Sequence, residues 1–428
     1  MVQFAFVFYL AVWGGSVILL FGLAKLMFVP LAIAFETRSR IRRRRSHGRH
    51  RRSSGEDGQP LVSIIVPAFN EGVVLENCIH SLLGSSYANL EVVIIDDGST
   101  DDTAQVMRAM KMLDRRIQTF SQPNRGKGAA LNAGIAHSSG DFLIFVDADG
   151  IFLPETVTEL LRGFDDPRIG AVCGDDHPLN LNRTQTKLLT LLSHVGTGMV
   201  RRALALVHCL PIVSGNIGAF PRAVVEQVGG FNEKTVGEDL ELTWRVHKAG
   251  YRVSFRPSAL VYAESPSTVH ALWRQRVRWA RGLIQTTRLH RRMVGNLRYG
   301  IFGSYLVVNT VTMLVVPPLQ LLILALIPLA VATGRPLFDY TVLAVVGWLG
   351  LGVSLGLVLF AVALNGAWRD LRFLWTLILW PVYSTLMAGV VVVALWQEWS
   401  GAPAPWNKLA RSGVVSRRTL RRLAGLPQ

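Results

Sequence analysis

The sequence predicts an α/β domain, Rossmann-like, with a mostly parallel sheet and flanking helices, joined to α-helical transmembrane segments. Three observations predict it. Between residues 60 and 150, short apolar runs alternate with stretches of helical periodicity. Long uncharged stretches lie near both ends of the chain, and about 20 such residues cross a bilayer. Of the 428 residues 50% are hydrophobic and only 17% charged, and the mean hydropathy is +0.33. Such values exclude a disordered chain and do not suit an ordinary soluble enzyme.

The net charge of +16 would suit a nucleic-acid partner, but its position argues for lipid. Residues 38–52 hold nine Arg, and Lys408–Arg422 hold six Lys or Arg. Both runs adjoin apolar blocks, which marks the cytoplasmic face of a membrane. The expected partner is therefore the lipid bilayer and not nucleic acid. Cys78, Cys173 and Cys209 are scattered. They show neither metal-site nor disulfide spacing, which fits a reducing compartment.

Residues 1–36 read as an amino-terminal transmembrane span. Phe4–Ala24 carry no charge, and the apolar run continues to Phe35. The charges follow this run rather than precede it, and it exceeds the roughly 7–15 residues of a signal-peptide core. An uncleaved span with its amino terminus outside is expected. Residues 37–59 form a basic linker. Residues 60–290 form the cytosolic α/β domain, and residues 291–400 hold interfacial and carboxyl-terminal transmembrane helices. Three stretches there are uncharged: 299–334, 340–368 and 373–397. Pro317-Pro318 divides the first, which leaves two short passes or an interfacial helix followed by one pass. Residues 401–428 form a basic tail, expected in the cytosol, so an even number of passes follows residue 299. The chain is expected to be a multi-pass plasma-membrane protein.

Within the α/β domain, Leu61–Pro67 is a buried strand and Val73–Leu83 a helix. Glu91–Ile95 is a strand that stops at Asp96-Asp97-Gly98, and Asp101–Leu113 is a helix. Ile117–Phe120 is a short strand and Gly128–His137 a small-residue helix. Asp141–Val146 is a strand ending at Asp147-Ala148-Asp149. In such sheets ligands sit beyond the carboxyl ends of the strands, where both acidic clusters fall. No GxGxxG follows the first strand, so a dinucleotide cofactor is not expected.

Five motifs bear on chemistry. Asp96-Asp97-Gly98-Ser99-Thr100-Asp101 caps the next helix as a turn. Its paired carboxylates need hydrogen-bond donors or a cation, and a nucleobase and ribose would supply donors. Asp147 and Asp149 stand on alternate residues. They point the same way if strand geometry persists, and their oxygens suit Mg2+ or Mn2+ carrying a diphosphate. Asn124-Arg125-Gly126-Lys127-Gly128 is either a plain solvated loop or a phosphate contact through backbone N–H groups and Lys127. Gly237-Glu238-Asp239 opens a helix, where acidic residues are ordinary and also suit a general base. Gln275, Arg278 and Trp279 lie on a helix that reads equally as interfacial.

Together these residues resemble the family 2 glycosyltransferases with a GT-A fold, in their membrane-integrated processive branch. Val66-Pro67-Ala68-Phe69-Asn70-Glu71 is similar to the family's first-strand signature. The DDGSTD, RGKG and DAD motifs follow in the family's order, GED stands where the family has TED, and Gln275, Arg278 and Trp279 match QxxRW. The resemblance covers about residues 60–285. Gly237 departs from the family's Thr, while Asp239 is retained. Length, a single amino-terminal span and a short hydrophobic carboxyl block resemble the poly-N-acetylglucosamine and chito-oligosaccharide synthases. Trp406-Asn407-Lys408 is similar to their Trp-containing segment after the last span.

The resemblance implies a role for each residue. Asp97, helped by Asp96, would bind uridine, and Lys127 would sit near the nucleotide. Asp147 and Asp149 would hold the diphosphate and its Mg2+ or Mn2+. Asp239 would deprotonate the acceptor hydroxyl, with Glu238 beside it in the catalytic set. Gln275, Arg278 and Trp279 would hold the leaving diphosphate and stack the acceptor sugar. Arg281, Arg288, Arg291 and Arg292 would hold this helix against anionic headgroups. The expected enzyme is a membrane-bound inverting transferase. It would polymerise sugar from a UDP-sugar, UDP-N-acetylglucosamine foremost, into a β-linked polysaccharide and pass it across the membrane. Its partners would be the donor, the growing polysaccharide and the bilayer; no accessory protein is named by the sequence. The alternative is a membrane transferase adding one sugar to a lipid acceptor.

Overall fold

The computed structural model describes residue 20 and residues 22–46, 58–332 and 340–403. Most of the amino-terminal apolar run, Arg49–Arg52, Trp406-Asn407-Lys408 and the basic tail lie outside the described residues.

Eight strands form one sheet among the described residues: β1 (Val62–Ala68), β2 (Leu90–Asp96), β3 (Ile117–Ser121), β4 (Phe142–Phe145), β5 (Ile151–Phe152), β6 (Ile169–Pro178), β7 (Gly218–Pro221) and β8 (Arg252–Ala263). Their order is β3-β2-β1-β4-β7-β6-β8-β5. β1 pairs in parallel with β2 and β4, and β2 with β3. β7 runs antiparallel between β4 and β6, β6 and β8 are parallel, and β5 is antiparallel to β8.

β1 and β2 are buried along their whole length, as expected for strands covered on both faces. Alternate residues serve opposite layers. Ile64, Val66, Val92 and Ile94 pack with Leu75, Ile79 and Met107 from the helices Gly72–Leu83 and Thr103–Leu113. Ile65, Val93 and Ile95 pack with Ala130, Leu131 and Trp244 on the other face. Each fully buried aliphatic side chain there contributes about 1.5–3 kcal/mol.

The helix Phe28–Ser46 runs through the expected boundary at residue 36. Ala32 is buried against Met199, Leu357 and Ala361, and Glu36 pairs with Arg202 at 2.7 Å. Late in the chain, Gly300–Thr310, a π-helical turn Val311–Val315 and Val316–Ala332 form one continuous helix. Pro317-Pro318 therefore does not divide this stretch. Each proline lacks an N–H and crowds the carbonyl four residues back; those carbonyls fall in the widened π turn, which accommodates the rings. The first turns bury Phe302 and Leu306 in the α/β core. Tyr340–Leu364 follows, then a 3-10 helix Trp368–Leu379 and the helix Trp380–Trp399. Leu297–Pro328, Gly347–Leu364 and Trp368–Trp399 are each long and apolar enough to cross a membrane.

Candidate active site

The loops after β1 and β2 are tied together. Asn70 adopts a left-handed backbone (φ 54°). Its Oδ1 accepts from Thr100 N at 2.7 Å, and its N–H donates to Ser99 Oγ at 2.8 Å. The Asp96 carboxylate accepts from Ser99 N at 2.9 Å. Asp97 is fully buried and accepts from Gln122 Nε2 (2.7 Å), Arg125 N (3.0 Å) and Gly126 N (2.8 Å). Through these bonds Asp97 fixes the Arg125–Gly126 backbone at the mouth of the next helix.

That helix, Lys127–Ala136, opens with the residue at the centre of the site. Lys127 Nζ stands 2.7 Å from Asp147 Oδ1 and 3.2 Å from Glu238 Oε1. Burial works against its charge, but Asp147, Glu238 and Asp239 outweigh burial and raise its pKa. Its partners are carboxylates on two distant segments, joined to it by the fold. Asp239 accepts from Gly215 N at 3.1 Å and from Leu240 N at 2.8 Å. Burial, with the Glu238 charge beside it, pushes the Asp239 carboxyl up to about 6, against the pull of Lys127 and the two N–H groups.

β4 ends at Phe145, so strand geometry does not persist through Asp147 and Asp149. Instead Gly150 N donates to the Asp147 carbonyl at 2.8 Å in a turn. Asp147 takes Lys127 as partner, while the buried Asp149 accepts from Glu264 N at 3.1 Å. Among the described residues no cluster of three or more Asp, Glu, His or Cys could hold a metal. Two hard carboxylates at the end of β4 still fit Mg2+ or Mn2+ chemistry, since such ions take one or two carboxylates plus substrate phosphates and water.

Gln275, Arg278 and Trp279 lie on the helix Val269–Leu289. Gln275 and Arg278 are half-buried, and Trp279 is exposed, with the Arg276 guanidinium 4.2 Å from its ring centre. This helix meets the Glu238–Lys248 helix at two glycines. A Cβ on Gly237 would lie 2.9 Å from Gly282 Cα, so Thr cannot stand here without displacing backbone. Gln285 Oε1 accepts from Val236 N and Thr235 Oγ1, both at 3.1 Å, fixing the segment that leads into Glu238-Asp239. Arg281 corrects one expectation. It is buried and pairs with Glu398 at 2.6 Å and with the carbonyls of Ala402 and Pro403, so it faces protein, not headgroups.

Sequence reasoning missed three features near the site. A Cβ on Gly215 would lie 3.2 Å from Lys127 Nζ, so the glycine keeps space beside the carboxylates. Its neighbour Ser214 donates to Asp176 at 3.2 Å, and Arg201 pairs with Asp176 at 2.8 Å. Further along, His194 contacts Asp370 at 2.9 Å and Asn365 at 3.0 Å, and Arg202 donates to Asn365 at 2.8 Å. The run Asp175-Asp176-His177 at the end of β6 was the available signal for these polar groups.

Residues 63–228 match the family described as Glycosyl transferase family 2. Over 222 residues, 52% of this chain, it is 32% identical to a poly-beta-1,6-N-acetyl-D-glucosamine synthase of Staphylococcus aureus (strain COL), covering 54% of that protein. The Staphylococcus epidermidis protein of the same name is 29% identical over the same shares. The chain thus spans about half the length of the curated relatives it matches. The solved mannosyltransferase PcManGT from Pyrobaculum calidifontis, in complex with GDP-Man and Mn2+, superposes with a TM-score of 0.59 at 22% identity. That match covers 88% of this chain and 100% of that one, and it carries the fold: a GT-A-like sheet. The matched segment holds Asp96, Asp97, Lys127, Asp147 and Asp149 and is similar to glycosyl transferase family 2 domains.

Proposed function

We propose that this chain is a membrane-bound inverting glycosyltransferase that extends a β-linked polysaccharide from a UDP-sugar, UDP-N-acetylglucosamine foremost, and passes it across the membrane. The observation that carries the reading is the buried cluster in which Lys127 and Asp147, from the segment that matches family 2, meet Glu238 beside Asp239. The names of the Staphylococcus relatives support the product class.

In this reading Asp239 takes the proton from the acceptor hydroxyl. The acceptor oxygen then bonds to the anomeric carbon of the donor as the bond to the diphosphate breaks on the opposite face, and UDP leaves. A carboxyl at about 6 is ionised at neutral pH yet basic enough to accept a proton in the transition state. Mg2+ or Mn2+ held by Asp147 and Asp149 would neutralise the leaving diphosphate. Lys127 pulls the Asp239 carboxyl down against its burial, and Asp96 and Asp97 shape the nucleoside side. Arg278 would pair with diphosphate oxygens, and the free face of Trp279 offers an apolar platform for the acceptor sugar.

The same proposal covers topology. The Gly300–Ala332 helix starts on the α/β domain at Phe302, and Tyr340–Leu364 ends on it at Asn365. We read these as one pass out and one pass back. Trp368–Trp399 touches the domain at both ends, through Asp370 and Glu398, and so returns to the side it left. That leaves an even number of passes and a cytosolic catalytic domain in the plasma membrane.

The test uses the full chain in membranes with UDP-N-acetylglucosamine and measures UDP release. Release that needs Asp239 and ceases in excess chelator is expected; release unaffected by Asp239→Asn contradicts the assignment.

A further inference from the structure

Away from the carboxylate cluster, the end of the Val269–Leu289 helix borders an open cavity of about 810 Å3. Lys248, Arg288, Arg291 and Arg292 line it and are exposed. Glu398 is the carboxylate lining it, and that group is already committed to Arg281 and Gln285. His290, also in the wall, is bound to Glu241 at 2.9 Å. Four cations therefore share a concave space with no free anion opposite them among the described residues. Leu289, Met293 and Tyr299 give the wall an apolar part, with Leu289 exposed, and the apolar Gly300–Ala332 helix starts next to Tyr299. A soluble anion has no use for that part. A lipid has, because its chains lie along the helix while its phosphate meets the arginines.

The cavity also reaches the segment that leads into Glu238 and Asp239. Gln285 lines it, donates to Glu398 at 2.9 Å and holds Thr235 and Val236 through its other amide atom. Two residues later come Glu238 and Asp239.

We propose that this cavity binds the phosphate headgroup of an anionic membrane lipid and, through Gln285, steadies the segment that leads into Glu238 and Asp239. The binding half stands on the cavity alone; the coupling half rests on the transferase reading above.

Native mass spectrometry of the full chain, released from vesicles of phosphatidylcholine with or without phosphatidylglycerol, reads lipid binding directly. Wild type should retain phosphatidylglycerol. The variant R288Q/R291Q/R292Q should bind it on the order of 10²-fold more weakly, at about five-fold per basic side chain. R288K/R291K/R292K, which keeps the charges, should bind nearly as wild type and guards against a fold defect in the glutamine variant. Unchanged binding in the glutamine variant, or displacement of the lipid by millimolar inorganic phosphate, would overturn the lipid site. UDP release measured in the same vesicles should rise several-fold with phosphatidylglycerol in wild type and not in the glutamine variant. Lipid retained without any rate response overturns the coupling. Absence of UDP release from every form counts against the transferase reading and leaves the binding result to judge the site.

Discussion

Lys127 sits between Asp147 and Glu238, so its removal leaves three neighbouring carboxylates without their counter-ion. Like charges then hold Asp239 protonated to higher pH. The base works deprotonated, so the wild-type rate should rise through about pH 6 and level off above it. In Lys127→Met that rise should come at higher pH; an unmoved acid limb would show that Lys127 does not set the Asp239 proton affinity. Asp239→Asn should lose about 10²–10⁴-fold in kcat while the fold persists. Relief of a buried charge is offset by the loss of one acceptor for Gly215 N or Leu240 N, so thermal unfolding should shift little. Gly237→Thr restores the residue common in the family, yet here it should destabilise by about 1–3 kcal/mol, as overpacking does. Its Cβ would press on the Gly282 backbone. A Gly237→Thr variant as stable as wild type in thermal unfolding would mean the two helices can part without penalty.

At the scale of elements, the Val269–Leu289 helix joins the segment leading into Glu238 and Asp239 to the last apolar helix. Val277 packs on Val390 and Ala394, and Arg281 is held by Glu398. Glu398→Ala would leave a buried guanidinium without its carboxylate, at about 3–5 kcal/mol. A lowered melting temperature is expected, with a smaller loss in Glu398→Gln; equal stability of all three forms would deny the pair its structural role. β1 to β4 were legible because each is a short apolar run between turn residues and helices of clear period. β5 to β8 were not. β5 and β7 are two and four residues long. β6 ends in Asp175-Asp176-His177, and β8 carries Arg256 and Pro257, with register shifts in their pairing. The acidic motifs were legible as residue types, but their partners were not. Lys127 meets Glu238 from a segment far away in the chain, and the donors to Asp97 come from the loop after β3, which no spacing rule reveals. The π turn before Pro317 likewise depends on local backbone relief that composition does not record.

For the whole molecule, the apolar helices Gly300–Ala332 and Tyr340–Leu364 begin and end on the α/β domain, and the proposed topology makes them one pass out and one pass back. A reporter inserted within residues 333–339 should lie on the opposite side of the membrane from one fused after Gln428. Reporters on the same side would contradict the out-and-back pair and the even number of passes. In the proposed topology such a pair would set the candidate active site beside the bilayer, where a growing acceptor could enter without release. The size of the product tests this most directly. Membranes containing the full chain, supplied with radiolabelled UDP-N-acetylglucosamine, should yield a long β-linked polymer, absent with Asp239→Asn and shortened or absent with Trp279→Ala. A product of one sugar on a lipid would contradict the processive account.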